Sequence, residues 1–329
     1  MAFKDLVGQN RAIRILQKTI ERGRIPSSYL FAGESGIGKK YAAMSLAKTV
    51  NCLKPVAGAY PAIDCCDECV SCKKIDAGVH PDCLVVSPEG GQIRIEEIRS
   101  VDNILSLKPF EGEKKIIIID DAETMNVFAS NAFLKTLEEP PKDSLIILVS
   151  SRPDNLSATI RSRCSRINFT PLSYRESQEV LQRVIGQEGK ATREISTLIR
   201  LSLGRPGFVL SGELIEEREW FLSLLNGMLF FKREGWTSRE EMEKWHDLLL
   251  VFLRDMAVLK ITREEKDLIN NDLKDFIYTL SKSMEINAII DIYQKINLIR
   301  RYFYFNLNRA LTWNYTGSLL RAAMDGVYA

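Results

Sequence analysis

Residues 33–40 read Gly-Glu-Ser-Gly-Ile-Gly-Lys-Lys, and no other stretch restricts the fold as much. The run follows the apolar segment Tyr29-Leu30-Phe31-Ala32 and opens a segment, Lys40 to Asn51, with Ala, Met, Leu and Val at helical spacing. A strand, a glycine loop and a helix in that order are the context of a phosphate-binding loop, G-x-x-x-x-G-K-[ST]. Its glycines let backbone N–H groups turn inward, and the helix N-terminus favours an anion. Gly33, Gly38 and Lys39 fit the pattern, and Gly36 adds another glycine within it. The last position, where a hydroxyl should hold magnesium, is Lys40.

A second element agrees with the loop. Ile116-Ile117-Ile118-Ile119-Asp120-Asp121 reads as a buried strand ending in acids. Asp120 stands where a carboxylate would hold the metal ion, and Asp121 where a glutamate would orient the attacking water. An ammonium has no lone pair, so Lys40 cannot coordinate magnesium. Aimed at the metal, it would meet a repulsion of about 4 kcal/mol per unit charge at an effective dielectric of about 20. Lys40 must swing away, the metal must be absent, or Lys40 must itself neutralise phosphate. With Asp121 in place of Glu, the hydrolytic machinery reads as weakened twice, while nucleotide binding stays open.

Strand and helix signals alternate through the first 170 residues. Strands are expected at Ser28–Ala32, Cys83–Ser87, Lys115–Ile119 and Ser144–Val149, with helices at Ile95–Leu105 and Val127–Glu138, the last stopping before Pro140-Pro141. Continuous β-branched runs separated by helices argue a parallel sheet covered on both faces. After Pro171 the pattern turns helical. Ser173-Tyr174-Arg175-Glu176 is a capping-box start, Gly204–Gly207 is a break, and only helical periods follow from about Glu213. The expected layout is an α/β domain over 1–171, a small helical domain over 172–210 and an all-helical domain over 211–329. Trp220, Phe230-Phe231 and Tyr302–Phe305 read as core or oligomer interface.

Five of the seven cysteines fall between Cys52 and Cys72. The spacing Cys52-x13-Cys66-x2-Cys69-x2-Cys72 supplies four thiolates, which suit tetrahedral zinc and leave no open position for substrate. Such a site is structural. Cys65 competes with Cys66 for the second place, and Cys66 is preferred because it gives equal spacings to Cys69 and Cys72.

The formal charge of +2 gives no basic excess, so any nucleic-acid contact must be local. No apolar run is long enough to span a membrane, and Met1-Ala2-Phe3-Lys4-Asp5 lacks a signal-peptide core. The cytoplasm is the expected compartment. Downstream of the last strand, Ser162-Arg163-Cys164 offers an arginine held by a short turn, whose planar fork suits a phosphate presented by a neighbouring molecule.

Together, Val7-Gly8-Gln9, the loop at 33–40, the four-cysteine insert, Ile116–Glu123, Asn131–Pro141 and Ser162-Arg163-Cys164 resemble the bacterial clamp-loader branch of the AAA+ ATPases. The resemblance covers the first 210 residues closely and implies an AAA+ P-loop domain, a helical lid and a helical collar. It also implies a ring of subunits that opens a sliding clamp on primed DNA. The partners implied are the other loader subunits (gamma/tau and delta), the clamp, and primer-template DNA reached through the complex. The motor subunits of this branch carry Ser or Thr where Lys40 stands and Glu where Asp121 stands. They also carry a sensor arginine where Gly207 stands, with Arg205 displaced here. Three departures fall on the chain's own site and none on Arg163, which would serve a neighbour's site. The resemblance therefore implies a stator that hydrolyses little ATP itself; an active motor with Lys40 tolerated is the rival. Arg94 and Arg99 are candidate contacts to the DNA backbone. A zinc-containing nucleic-acid module and a small-molecule phosphoryl transferase fit the residues less well.

Overall fold

The structure is a computed structural model that describes residues 2–57, 63–185, 192–230, 235–304 and 307–322. The chain forms two compact units, Met1–Gly186 with Gly204–Gly207, and Gln187–Leu203 with Phe208–Ala329.

In chain order the first unit contains α1 (Asn10–Glu21), β1 (Ser28–Ala32), α2 (Lys39–Val50), β2 (Val56–Ala57), β3 (Ile63–Asp64), α3 (Val70–Asp76) and β4 (Cys83–Val86). It continues through α4 (Ile95–Leu105), β5 (Lys115–Ile119), α5 (Val127–Glu138), β6 (Ser144–Ser150), α6 (Ala158–Arg163), β7 (Ser165–Asn168) and α7 (Tyr174–Ile185). Five strands form one sheet in the order β4-β5-β6-β1-β7, and every pairing in it is parallel. Side chains alternate between faces along a strand, and here both faces are covered. Tyr29, Phe31, Ile116, Ile118, Leu145 and Ile147 pack on one side with Leu16 of α1 and Leu46 of α2. Leu30, Ile117, Ile119, Ile146 and Leu148 pack on the other with Val101 of α4, Phe133 of α5 and Ile160 of α6. Double coverage is why β1, β5 and β6 are buried along their whole length and read as unbroken apolar runs.

The parallel arrangement brings the carboxyl ends of β1, β5 and β6 to one edge of the sheet, where ligands of open α/β folds gather. Edge strand β7 went unanticipated because Ser165-Arg166-Ile167-Asn168 buries only Ile167 and carries no apolar run. The turn expected around Arg163 is instead the short helix α6, started by Ser157, whose hydroxyl accepts from the Ile160 N–H. At α7 the expected capping box forms: the Ser173 N–H donates to Glu176 at 2.7 Å, and Ser173 Oγ accepts from the Glu176 N–H.

Buried Asp82, just before β4, organises the connection between α4 and β5. Its carboxylate accepts from the N–H groups of Phe110, Glu111 and Gly112 and pairs with the buried Lys115 ammonium at 3.0 Å. Burial alone would raise this carboxyl, but the three N–H donors and Lys115 outweigh it and hold it down at about 2. The unfolded value is about 3.9, so this stabilisation is complete above that pH and is lost as pH falls toward 2; it amounts to about 2.5 kcal/mol. Asp82→Asn leaves Lys115 buried without its counter-charge and is expected to destabilise the first unit by about 3–5 kcal/mol. Urea unfolding at neutral pH measures this, and the variant should also lose part of the acid sensitivity.

The second unit is helical throughout its described residues: α8 (Thr192–Leu201), α9 (Pro206–Leu210, beginning in the Gly204–Gly207 segment), α10 (Glu213–Leu229), α11 (Arg239–Thr262), α12 (Lys274–Ser283), α13 (Ile286–Arg301) and α14 (Arg309–Ala322). The break expected at Gly204–Gly207 thus runs directly into a short helix. The core sits around α11, whose Trp245, Leu249, Phe252, Leu253 and Met256 meet Ile277, Ile289, Ile292 and Ile296. His246 is buried beside Trp236, Trp245 and Phe303. Burial lowers its imidazole to about 4, so it is neutral at neutral pH. Trp220 and Phe303 join this core, whereas Phe230 and Tyr302 are exposed; Phe231 and Phe305 lie outside the described residues. No helix among the described residues is long and apolar enough to cross a membrane.

Candidate nucleotide site, cysteine centre and terminal arginine

The glycine loop joins β1 to α2 as its sequence requires. Gly38 caps α2 with φ +96°, a left-handed conformation costly for any residue with a Cβ. Lys39 is buried, and its ammonium donates back to the Glu34 carbonyl of its own loop. Burial lowers its proton affinity, partly offset by Glu123, Asp121, Asp120 and Glu34.

Lys40 stays half exposed, yet its ammonium is engaged. Its ammonium lies 2.9 Å from Asp120 Oδ2, so the acid that would hold magnesium is already paired with a cation of this chain. Asp121 has φ +47°, and burial raises its carboxyl, reinforced by Asp120 and Glu123. Glu123 was not singled out from the sequence. Its carboxylate accepts from the N–H and hydroxyl of Ser151 and the N–H of Arg152, linking the end of β5 to the end of β6. Burial alone would raise Glu123; the hydrogen bonds from the Ser151 hydroxyl and the surrounding donors together outweigh it, and the group lies below its usual range. The Asp-Asp-Ala-Glu spacing after an apolar strand was the available signal.

Gly207 also meets the loop. Its N–H donates to the Gly36 carbonyl at 2.9 Å, and a Cβ there would fall 2.7 Å from Gly36 Cα. No side chain fits at 207 with this packing. Arg205 Nε lies 3.8 Å from Glu34 instead.

The four cysteines named from spacing converge. Cys52 Sγ lies 3.5, 4.0 and 3.7 Å from the sulfurs of Cys66, Cys69 and Cys72, and all four are within 4.8 Å of one another. Metal–sulfur bonds of about 2.3 Å in a tetrahedron require sulfurs about 3.8 Å apart, so this group can hold a metal ion. The N–H groups of Cys66, Cys69 and Cys72 donate to the sulfurs of Cys52, Cys66 and Cys69 at 3.3–3.4 Å, favouring the thiolate form that binds metal. Cys65 turns away, its thiol 3.4 Å from Asp67, and burial pushes it up to about 12. The side chain of Lys48, fully buried on α2, pairs with Asp67 and Asp76, tying the insert to the helix that follows the glycine loop. Asp64 accepts from the N–H groups of Phe3 and Lys4 and ties down the chain's first residues. Neither role has a sequence signature, because each partner lies far along the chain.

Arg163 is the last residue of α6. Its Nη1 donates to the Thr159 carbonyl at 3.0 Å and its Nη2 lies 2.7 Å from Glu138 Oε1, while the side chain stays one-third exposed. Cys164 beside it is buried in the sheet-covering cluster and anchors the end of the helix. Arg94 and Arg99 are exposed at the start of α4.

The sheet order, the glycine loop between β1 and α2 and the acids at the end of β5 define a P-loop domain of the AAA+ class. A family described as "DNA polymerase III, delta subunit" matches residues 8–173. The delta' subunit of DNA polymerase III from Bacillus subtilis is 32% identical over 278 residues, covering 80% of this chain and 82% of that one. The delta' subunit from Pseudomonas aeruginosa is 29% identical over 307 residues, covering 88% and 90%. The tau subunit of Bacillus subtilis is 29% identical over 283 residues, covering 86% of this chain but 46% of its own length. Among solved structures, a gamma subunit-related protein of Thermotoga maritima aligns over 94% of this chain and 98% of that one, at 20% identity and a TM-score of 0.44. The chain belongs to the delta' subunit family of DNA polymerase III, within the clamp-loader group that also holds gamma and tau.

Proposed function

We propose that the chain is the stator of a bacterial clamp loader, helping to place a sliding clamp on primed DNA while supplying Arg163 to the ATP site of an adjacent subunit. The observation that carries this reading is the contrast between two sites. The chain's own site is engaged from within: Lys40 pairs with Asp120, and Lys39 donates to the Glu34 carbonyl of its own loop. Arg163 stands at a helix end with guanidinium donors to spare. A phosphoryl group in transfer spreads negative charge over its outer oxygens, and a guanidinium delivered from a neighbour stabilises that charge. Gly207 supports the same reading, since the close approach of its backbone to Gly36 leaves no room for a sensor side chain.

In this reading the cysteine centre holds zinc in a structural role, through Cys52, Cys66, Cys69 and Cys72. Residues 172–210 serve as the lid and 211–329 as the collar joining the other loader subunits, gamma/tau and delta. DNA is met through the assembled complex, with Arg94 and Arg99 on its phosphates, and the work is cytoplasmic.

The second reading, a gamma/tau-like motor, is kept because the tau subunit of Bacillus subtilis aligns over most of this chain. Steady-state hydrolysis by the purified chain separates the two. The stator gives turnover indistinguishable from buffer, and Lys40→Ser alone does not restore it, because Asp121 and Gly207 remain. Sustained turnover by the unmodified chain overturns the stator in favour of the motor.

A further inference from the structure

Glu138 ends α5 where a carboxylate serves its own helix poorly. The last turn presents unpaired carbonyls and the negative end of the helix dipole, which favour cations there and disfavour acids. Glu139 follows, and Pro140 and Pro141 prevent the helix from continuing. What Glu138 does touch is Arg163, Oε1 to Nη2 at 2.7 Å.

Both residues stand on firmly packed elements. Phe133 and Leu137 of α5 and Ile160 of α6 belong to one buried cluster together with Cys164. Thr136 of α5 is hydrogen-bonded to Asp102 of α4. The helix that carries the carboxylate is therefore fixed from below, while the ion pair itself is substantially exposed and contributes little to folding. A guanidinium has five N–H donors. Glu138 and the Thr159 carbonyl each engage one nitrogen, which leaves Nε–H and one N–H on each terminal nitrogen for an incoming phosphate.

We propose that Glu138 is the positioning residue of the arginine finger. Together with the Thr159 carbonyl it holds the Arg163 guanidinium in one orientation, so that docking against a neighbour's nucleotide phosphate requires less freezing of a long, flexible side chain. The inference rests on the finger reading of Arg163 and adds the residue that aims it.

The test uses the reconstituted loader with clamp and primed DNA, over a range of ATP concentrations up to saturation, carrying Glu138→Ala, Glu138→Gln, Arg163→Ala or Glu138→Ala with Arg163→Ala. Glu138→Ala is expected to lower kcat by roughly 10-fold with KM for ATP unchanged, below the ~10³-fold or larger loss expected when the arginine is removed. Glu138→Gln, which keeps an acceptor oxygen, should lose less. In the Arg163→Ala background, Glu138→Ala should add nothing. Equal turnover for wild type and Glu138→Ala, a rise in turnover, or a further loss on top of Arg163→Ala overturns the proposal. If Arg163→Ala disables the complex and Glu138→Ala does not, the positioning role alone falls. If Arg163→Ala has no effect, the finger reading falls and this one with it.

Discussion

If Arg163 is the proposed finger, replacing it with alanine is expected to lower ATP hydrolysis at the adjacent subunit's site by about 10³-fold or more, with the folded stability of this chain hardly changed. The size of the effect comes from where the guanidinium acts. As the proposed finger, its charge would meet developing negative charge on the transferred phosphoryl group in a site closed to water, where the interaction is far stronger than at a free surface. The small effect on stability follows from exposure. Among the described residues the polar partners of the Arg163 guanidinium are Glu138 and the Thr159 carbonyl, and an ion pair so accessible contributes at most about 1 kcal/mol. Single-turnover hydrolysis in the assembled loader, with thermal melting of the isolated chain as control, checks both halves. Lysine at 163 keeps the charge but not the planar fork, and should recover only a small part of the rate. Full activity of Arg163→Ala would remove the arginine from the mechanism.

The purified chain should carry about one zinc ion, bound by four thiolates. Cys65→Ser should keep it and Cys66→Ser should lose it, although the two residues are neighbours. The distinction rests on direction: Cys66 Sγ lies 3.5 Å from Cys52 Sγ, whereas Cys65 faces Asp67. Structural zinc sites in small peptides bind with about 10–16 kcal/mol, energy that also orders the surrounding chain. In a unit with its own core only part of this appears as stability. A loss of about 3 kcal/mol, or roughly 10 °C in Tm, is expected on chelation. It should spread to the first residues, because Ala2 packs beside Cys65 and Cys72, and Asp64 accepts from the N–H groups of Phe3 and Lys4. Metal analysis of the two serine variants decides the ligand. Retention of zinc by Cys66→Ser would contradict the arrangement.

Much of the first unit was legible because its chemistry is local. An apolar run ending in a glycine loop and then a helix can hardly do anything else, and β1 spans the anticipated residues while α2 begins one residue earlier. The isoleucines of β5 are unbroken because both faces of that strand are covered. β7 was illegible for the converse reason, since an edge strand with one buried residue has no pattern to read. The short antiparallel pair of β2 and β3 was equally silent, having only two residues in each strand.

Charged contacts divide in the same way. That Lys40 could not serve a metal followed from the chemistry of an ammonium. That it would settle on Asp120, 80 positions away, required parallel strands to deliver the loop and the acids to the same edge of the sheet. Gly207 was a missing arginine in the sequence; in the fold it is a backbone pressed against Gly36. Glu138 was one acid among several until two helices brought it against Arg163.

The sequence alone determined the residue types and their local spacing: a phosphate loop with a lysine where a hydroxyl belongs, four thiols at metal-binding intervals, and an arginine after the last core strand. Those follow from short-range sterics and the chemistry of each side chain. Only the tertiary structure decided the partners, Asp120 for Lys40, Asp67 and Asp76 for Lys48, and Glu138 for Arg163. Pairing between distant positions depends on the order of strands and the packing of helices, which no local stretch of the chain encodes.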